Sequence, residues 1–135
     1  MANEWKKVEL YGQNNDGDPR RYTVASGVAI SKGTLLIIGA ERTAAAHATS
    51  AGGYIAGVAA MDKSATDLST SISAWTNGVF EATASGTLTA GHPFKTSTAA
   101  NQVEVAANTI IGSAVGGYAL ETASTGEVVN VRLQL

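Results

Sequence analysis

The two histidines are the first residues to consider for chemistry, because imidazole acts as a base, an acid or a metal ligand near neutral pH. His47 lies in an alanine-rich stretch, and His92 directly precedes Pro93. Neither has a histidine or carboxylate partner at the spacing that builds a zinc site or a catalytic pair. The sequence therefore predicts that both are surface histidines.

A second candidate is the polar run at residues 14–18, where Asn14, Asp16 and Asp18 carry oxygen ligands of the kind that Ca²⁺ prefers. An EF-hand loop that begins at Asn14 requires a bidentate glutamate at its twelfth position, which here is Ala25. A solvated turn is the favoured interpretation, and weak adventitious cation binding is the alternative.

Signatures of enzymes are missing from the sequence. It has no G-x-S-x-G nucleophile elbow and no glycine-rich loop followed by Lys-Ser or Lys-Thr, and its carboxylates are scattered singly. The chain has no cysteine, which excludes thiol nucleophiles, thiolate zinc sites and disulfides. We assign no catalytic, metal or cofactor-binding residue and expect that the protein is not an enzyme. An apolar pocket lined by titratable groups with shifted pKa values would favour the enzyme alternative.

The composition describes the surface that the protein presents to partners. Only 15% of the 135 residues are charged, so the surface is covered largely by small neutral side chains that suit close contact with other protein. The formal net charge of −2 provides no basic field for nucleic acid. We expect no membrane partner either, because no segment resembles a secretory signal or reaches the ~18 apolar residues of a membrane span.

The elements that position these side chains are expected to be short β-strands. The clearest local signal lies at residues 71–91, where Ile72 and Ala74 alternate with polar neighbours. Asn77 and Gly78 then fit the two positive-φ positions of a type I′ turn. The stretch predicts a β-hairpin with Asn77 and Gly78 in its turn.

Several other strands are predicted, and together they indicate an all-β barrel or sandwich. They lie at residues 5–11, 35–38, 54–60, 93–96, 102–106, 109–120 and 127–135. In the last strand Val129, Val131, Leu133 and Leu135 are predicted to face inward, and Val128, Asn130, Arg132 and Gln134 outward. Residues 39–53 are predicted to form a loop with one helical turn at most.

An internal repeat suggests two similar halves. Ala25-Ser26-Gly27, Ile30 and Gly33 recur about sixty residues later as Ala84-Ser85-Gly86, Leu88 and Gly91. A second echo relates residues 57–59 to residues 117–119. Chance similarity in a chain rich in glycine, alanine and serine is the alternative, but order and spacing are both kept. We therefore predict one supersecondary unit used twice, with residues 71–91 at the joint.

The first twenty residues are predicted to be an arm that precedes a single β domain at residues 21–135. Residues 5–11 form a short strand that either packs on its own domain or adds to the open sheet edge of a neighbour. Trp5 has no evident core to enter, and tryptophan is a common interface anchor, so we expect it at an interface. Trp75 is expected to pack in the core or at its rim.

The order of four segments carries a family resemblance: TVASGVAISKGTLLII, YIAGVAAMDK, WTNGVFEATASGTLTAGHPF and IIGSAVGGYALETASTGEVVNVRLQL. In this series the chain resembles the capsid decoration, or cement, proteins of phages and archaeal viruses. The resemblance covers the chain from about residue 22 to its end. It implies a small β-barrel or β-tulip-like domain of two similar halves with an extended N-terminal arm.

The resemblance also implies a function. Such proteins form homotrimers, or less often other small oligomers, on the outer surface of expanded heads that are assembled in the host cytoplasm. They stabilise the head by clamping neighbouring major capsid subunits. By analogy the capsid-binding arm consists of Trp5, Lys6, Lys7, Val8, Leu10 and Tyr11. Deletion of residues 2–12 is then expected to abolish head binding and leave the fold intact.

The alternative function is a carbohydrate- or host-surface-binding β module of a virion. It predicts that Tyr22, Tyr54 and Tyr118 are exposed and stack on sugars. Aromatic side chains clustered on one face would favour it.

Overall fold

The computed structural model describes residues 3–48, 53–106 and 116–135. The regular elements of these residues are all strands, which confirms the all-β prediction. They are β1 (Lys6–Leu10), β2 (Arg20–Thr23), β3 (Leu35–Ala40), β4 (Thr43–Ala46), β5 (Ile55–Ala59), β6 (Ser71–Trp75), β7 (Asn77–Ala84), β8 (Pro93–Thr96), β9 (Gln102–Val105), β10 (Gly117–Ala119) and β11 (Val128–Gln134). Strand β2 begins at Arg20, one residue before the predicted start of the β domain at residue 21, and the division into arm and domain stays a prediction.

The strands form two closed barrels that follow one another along the chain. The first has the strand order β2-β4-β3-β5-β6, and the second has the order β7-β11-β10-β8-β9 with β9 returning to β7. Each barrel closes through a short parallel contact, at Thr23 and Thr43 in the first and at Thr83 and Gln102 in the second. Inward residues of the alternating strands fill the barrels, as in other small barrels.

The two barrels repeat the same hydrogen bonds. Gly33 N–H donates to the carbonyl of Ala59 at 2.9 Å, and Gly91 N–H donates to that of Ala119 at 2.7 Å. The isolated bridge between Ile30 and Lys63 recurs between Leu88 and Ala123. These equivalences keep the predicted pairs of Ile30 with Leu88 and Gly33 with Gly91. The prediction of two similar halves is confirmed.

The predicted hairpin at residues 71–91 is wrong. β6 belongs to the first barrel and β7 to the second, and Thr76 alone separates them. Asn77 and Gly78 lie inside β7, where they pair with Gln134 and Leu133 of β11. The two strands predicted for the hairpin exist as β6 and β7, but the chain crosses from one barrel to the other between them. Residues 71–91 therefore contain the joint between the two halves, as predicted.

Glycine is needed at position 78 for the close approach of two strands and not for a turn. A Cβ built there would lie 2.5 Å from the carbonyl oxygen of Glu9, because β1 runs close beside β7 at this point. Glycine permits such an approach of two backbones, and it also suits a type I′ turn. The local sequence alone therefore does not distinguish a glycine in a turn from a glycine at a close contact between strands.

Two smaller predictions also need correction. Residues 39–53 contain strand β4, whose Ala44 faces the core of the first barrel, in place of the predicted loop. Leu135 is exposed because β11 ends at Gln134, whereas Val129, Val131 and Leu133 face inward as predicted. Most of the strand predicted at residues 109–120 lies outside the described residues.

The polar run after β1 is docked on the crossover between the barrels. Thr76 Oγ1 donates to the carbonyl of Asp18 at 2.7 Å, and Asn77 Nδ2 donates to Asp18 Oδ2 at 2.7 Å. Gly17 is buried, and its carbonyl accepts from the N–H groups of both Thr76 and Asn77. The turn therefore has a structural role in joining the first strand to the crossover.

Candidate partner-binding surface

Strand β1 lies on the edge of the second barrel of its own chain. It pairs antiparallel with β7, with Lys6 opposite Glu81 and Leu10 opposite Gly78. The register shifts between Lys7 and Glu9, so Val8 forms a bulge and is half exposed. Of the two alternatives for this strand, packing on its own domain is the one observed. Lysines and a bulge on an edge strand disfavour the addition of another strand there.

Trp5 is a core residue, so the prediction that it lacks a core is wrong. Only 3% of it is exposed, and its ring centre lies 6.0 Å from those of both Phe80 and Phe94. Its Nε1–H donates to the carbonyl of Asn101 at 2.9 Å. Removal of residues 2–12 would take away this side chain and β1 together, which contradicts the expectation that the truncated chain keeps its fold.

Asn101 connects Trp5 to the first barrel. Its backbone adopts a left-handed conformation with a φ of 61°, which asparagine tolerates better than most residues. Its Oδ1 accepts from Leu35 N–H at 2.9 Å, and its own N–H donates to His47 Nδ1 at 3.1 Å. Both Asn101 and His47 are buried, and His47 Nε2 donates to the carbonyl of Ser97 at 2.8 Å.

The prediction of a surface position is therefore wrong for His47 and right for His92. His47 follows β4 in the first barrel and reaches the loop between β8 and β9 in the second, so its hydrogen bonds join the two halves. The sequence does not reveal this role because the polar partners of His47, which are Ser97 and Asn101, are distant from it along the chain. His92 is exposed.

A surface cleft lies between β1 and the turn that precedes β3. It has a volume of about 390 Å³ and is lined by Glu4, Trp5, Lys6, Lys7, Lys32 and Trp75. The ammonium groups of Lys7 and Lys32 lie 5.8 and 5.6 Å from the centre of the Trp75 ring, within the range of cation–π attraction. Three of the five lysines of the chain thus surround one cleft.

Trp75 forms the wall of this cleft and is fixed from behind. Its ring centre lies 5.9 Å from that of Phe80, and only 8% of the residue is exposed. This confirms the prediction of core or rim packing. Lys32 is held in place because its backbone N–H donates to Asp62 Oδ1 at 2.7 Å.

A second group of side chains lies on the outer face of the second barrel. Tyr11 donates its hydroxyl to Glu9 Oε2 at 3.1 Å, and the guanidinium of Arg132 lies 4.6 Å from the centre of the Tyr11 ring. Tyr118 lies opposite Arg132 in the pairing of β10 with β11. The hydrogen bond to Glu9 is the main cause that raises the pKa of Tyr11 above its usual value.

The six residues predicted to bind the capsid thus divide by environment. Trp5 is buried, Leu10 packs partly buried against the core, and Tyr11 is half-buried. Lys6, Lys7 and Val8 are exposed. The role of these residues in capsid binding stays a prediction. Lys32 and Trp75 were not predicted beside them, because only the tertiary fold brings residues 7, 32 and 75 together.

The three tyrosines of the carbohydrate alternative do not share one environment. Tyr22 is buried in the core of the first barrel. Tyr54 precedes β5 of the first barrel and Tyr118 lies in β10 of the second, and both are exposed. Tyr22 is therefore not available to stack on a sugar.

Residues 3–48, 53–106 and 116–135 hold no group of three or more histidine, cysteine or acidic side chains arranged to bind a metal ion. The same residues include no helix long and apolar enough to cross a membrane.

The fold has a counterpart among solved structures. The chain is similar to the crystal structure of the head fiber gp8.5 N base in bacteriophage phi29, with a TM-score of 0.56 and 17% sequence identity. The match covers 86% of this chain and 94% of that one. At this identity the likeness shows a shared fold. No protein-family model and no curated protein matches the sequence.

Proposed function

We propose that this protein is a structural virion protein on the outer surface of a phage head, where it binds the major capsid protein. The observation that carries the proposal is the fold likeness to the base of a phage head fiber, which extends over 94% of that base. The sequence resemblance to capsid decoration proteins points to the same location from independent features.

The surface suits a role in binding. Charged residues make up only 15% of the chain, and small side chains permit close contact with a second protein surface. The group at Tyr11 and Arg132 consists of residue types that anchor interfaces, and the cleft at Lys7 and Lys32 has a tryptophan, Trp75, in its wall.

Stabilisation of the head is the finer part of the proposal. A homotrimer would place three copies of the same surface against neighbouring capsid subunits, and once one copy is docked the others bind at high effective concentration. Such a clamp works through binding energy and needs no catalytic step. It would strengthen an expanded shell against the pressure of the packaged genome.

Binding to heads tests the proposal. Expanded heads are prepared from a mutant of the virus that encodes this protein, in which its gene has been deleted. The full-length protein is mixed with these heads, and the heads are sedimented. Saturable co-sedimentation at a fixed number of copies per head is expected, together with greater resistance of the heads to heat. Absence of saturable binding would reject the proposal. The protein denatured before mixing is the control for nonspecific adsorption.

The same preparation tests the alternative of a host-surface module. That function predicts binding to host cells through exposed Tyr54 or Tyr118, with loss of binding in Tyr54→Ala or Tyr118→Ala. The structural role predicts that both substitutions at most weaken binding to heads and that isolated protein does not bind cells.

A further inference from the structure

We propose that the cleft between β1 and the turn before β3 binds an acidic peptide segment of the partner, with one side-chain carboxylate held between Lys7 and Lys32. This inference rests on the proposed function, in which the partner is the major capsid protein, and it names the chemistry of the contact.

Two like charges converge at the cleft. Lys7 comes from β1 and Lys32 from the turn before β3, yet both ammonium groups lie within 6 Å of the centre of one indole ring. Glu4 also lines the cleft, but among the described residues neither ammonium group forms an ion pair with a carboxylate. Two such cations repel each other, and an anion placed between them converts this cost into two charge-assisted hydrogen bonds.

The site is also preorganised. Lys32 is anchored through its backbone by Asp62, and Lys7 is fixed by the pairing of β1 with β7. The Trp75 ring is held by Phe80, and the backbone at Gly17 lies so close that a Cβ there would be 2.6 Å from Trp75 Cδ1. Rigid walls reduce the entropy that a ligand must lose on binding.

The size and the lining of the cleft favour one class of ligand. A cleft of about 390 Å³ accommodates one side chain and the backbone beside it. The Trp75 ring offers apolar contact to the methylene groups of a glutamate, while the two ammonium groups face its carboxylate. Nucleic acid requires a row of phosphate contacts, and a chain of net charge −2 with one basic cleft does not supply it.

Lys6 has a secondary part in this site. It lies on the rim of the cleft and stands opposite Glu81 in the pairing of β1 with β7, so an acidic residue of the same chain occupies the neighbouring strand position. Lys7 and Lys32 are therefore the pair on which the inference depends.

The first experiment measures the cleft directly. The full-length protein is titrated with hexaglutamate, and the indole N–H resonance of Trp75 is followed by NMR. A saturable shift is expected, with a dissociation constant about tenfold higher in the double variant Lys7→Gln/Lys32→Gln, as for the loss of two partly exposed ion pairs. Lys95→Gln is the matched control, because Lys95 pairs with Glu104 at 3.6 Å outside the cleft.

Three outcomes of this titration would overturn the inference. They are a shift that does not saturate, an equal affinity in the double variant, and an equal response to inorganic phosphate at the same ionic strength, which would indicate a site for small anions. A neutral glycine-serine hexapeptide controls for contact without charge.

The second experiment separates this inference from the proposed function. Wild-type protein and the double variant are compared in binding to expanded heads. If the wild-type protein does not bind heads, the proposed function fails and the hexaglutamate titration alone decides the cleft. If both proteins bind heads equally, the proposed function stands and the cleft is not the contact. Weaker binding of the double variant, with Lys95→Gln unchanged, supports both.

Discussion

The backbone N–H of Asn101 donates a 3.1 Å hydrogen bond to Nδ1 of His47, and both residues are buried. An acceptor at Nδ1 places the ring proton on Nε2, where it is donated to the carbonyl of Ser97. Because His47 follows β4 and Asn101 precedes β9, this side chain joins the two barrels. The same asparagine accepts from Trp5, so the first strand is tied to the joint between the halves.

Replacement of His47 should weaken the whole chain. In His47→Ala the buried N–H of Asn101 and the carbonyl of Ser97 lose their partners and a cavity is left, for a loss of about 2–4 kcal/mol in the free energy of unfolding. Urea unfolding followed by circular dichroism measures it. His92→Ala is the matched control at an exposed position and should change stability by less than about 0.5 kcal/mol. Equal effects of the two substitutions would show that the joint does not depend on His47.

Trp5 should behave as a core residue. Trp5→Ala is expected to lower the free energy of unfolding by about 3–5 kcal/mol, because the ring contacts with Phe80 and Phe94 are lost and a cavity forms. Trp5→Phe should cost less stability because it keeps an aromatic ring, although it also loses the hydrogen bond to Asn101. Val8→Ala, at the exposed bulge of the same strand, is the control. A stability of Trp5→Ala close to that of wild type would restore the interpretation of Trp5 as an interface residue.

Gly78→Ala should loosen β1 from the second barrel. The added methyl group would meet the carbonyl of Glu9 at 2.5 Å, so the strands must separate locally. Hydrogen exchange of the β1 amides is expected to accelerate at least tenfold, while the β3 amides change little. At Gly39→Ala, the control, a Cβ would meet no described atom within 4 Å. Unchanged protection of β1 in Gly78→Ala would contradict the close approach of these strands.

The ionisation of Tyr11 should report its hydrogen bond to Glu9. Since that bond raises the pKa of the folded state above the unfolded value near 10, its contribution to stability is present at neutral pH and is lost as the pH rises through the raised pKa. Glu9→Gln should lower the pKa of Tyr11, as measured by NMR of ring-labelled tyrosine. An unchanged titration of Tyr11 in Glu9→Gln would show that the bond does not form in solution.

Much of the fold follows from local patterns. The inward positions Val129, Val131 and Leu133 are predicted by alternation alone, since a strand directs every second side chain to one face. The repeat identifies two halves because equivalent turns need glycine at equivalent places, as at Gly33 and Gly91. Leu135 breaks the alternation because it lies beyond the last residue of β11.

The errors arise where a remote contact decides the outcome. The pair Asn77-Gly78 suits a type I′ turn, but glycine is required at position 78 because the backbone of Glu9, which is distant along the chain, approaches it closely. Trp5 has no apolar partner nearby in sequence, because the rings that it packs against, Phe80 and Phe94, are distant along the chain. The cleft itself is not predicted from the sequence: Trp5, Lys6 and Lys7 belong to the predicted arm, and the fold places Lys32 and Trp75 beside them.

The most direct test of the central claim is cryo-electron microscopy of heads from the virus that encodes this protein, with and without its gene. The structural role predicts density at regular positions on the outer surface of wild-type heads, with two small barrels for each copy of the protein. This density should be absent from heads that lack the gene and restored when the purified full-length protein is added. Identical outer surfaces in the two kinds of head would contradict it.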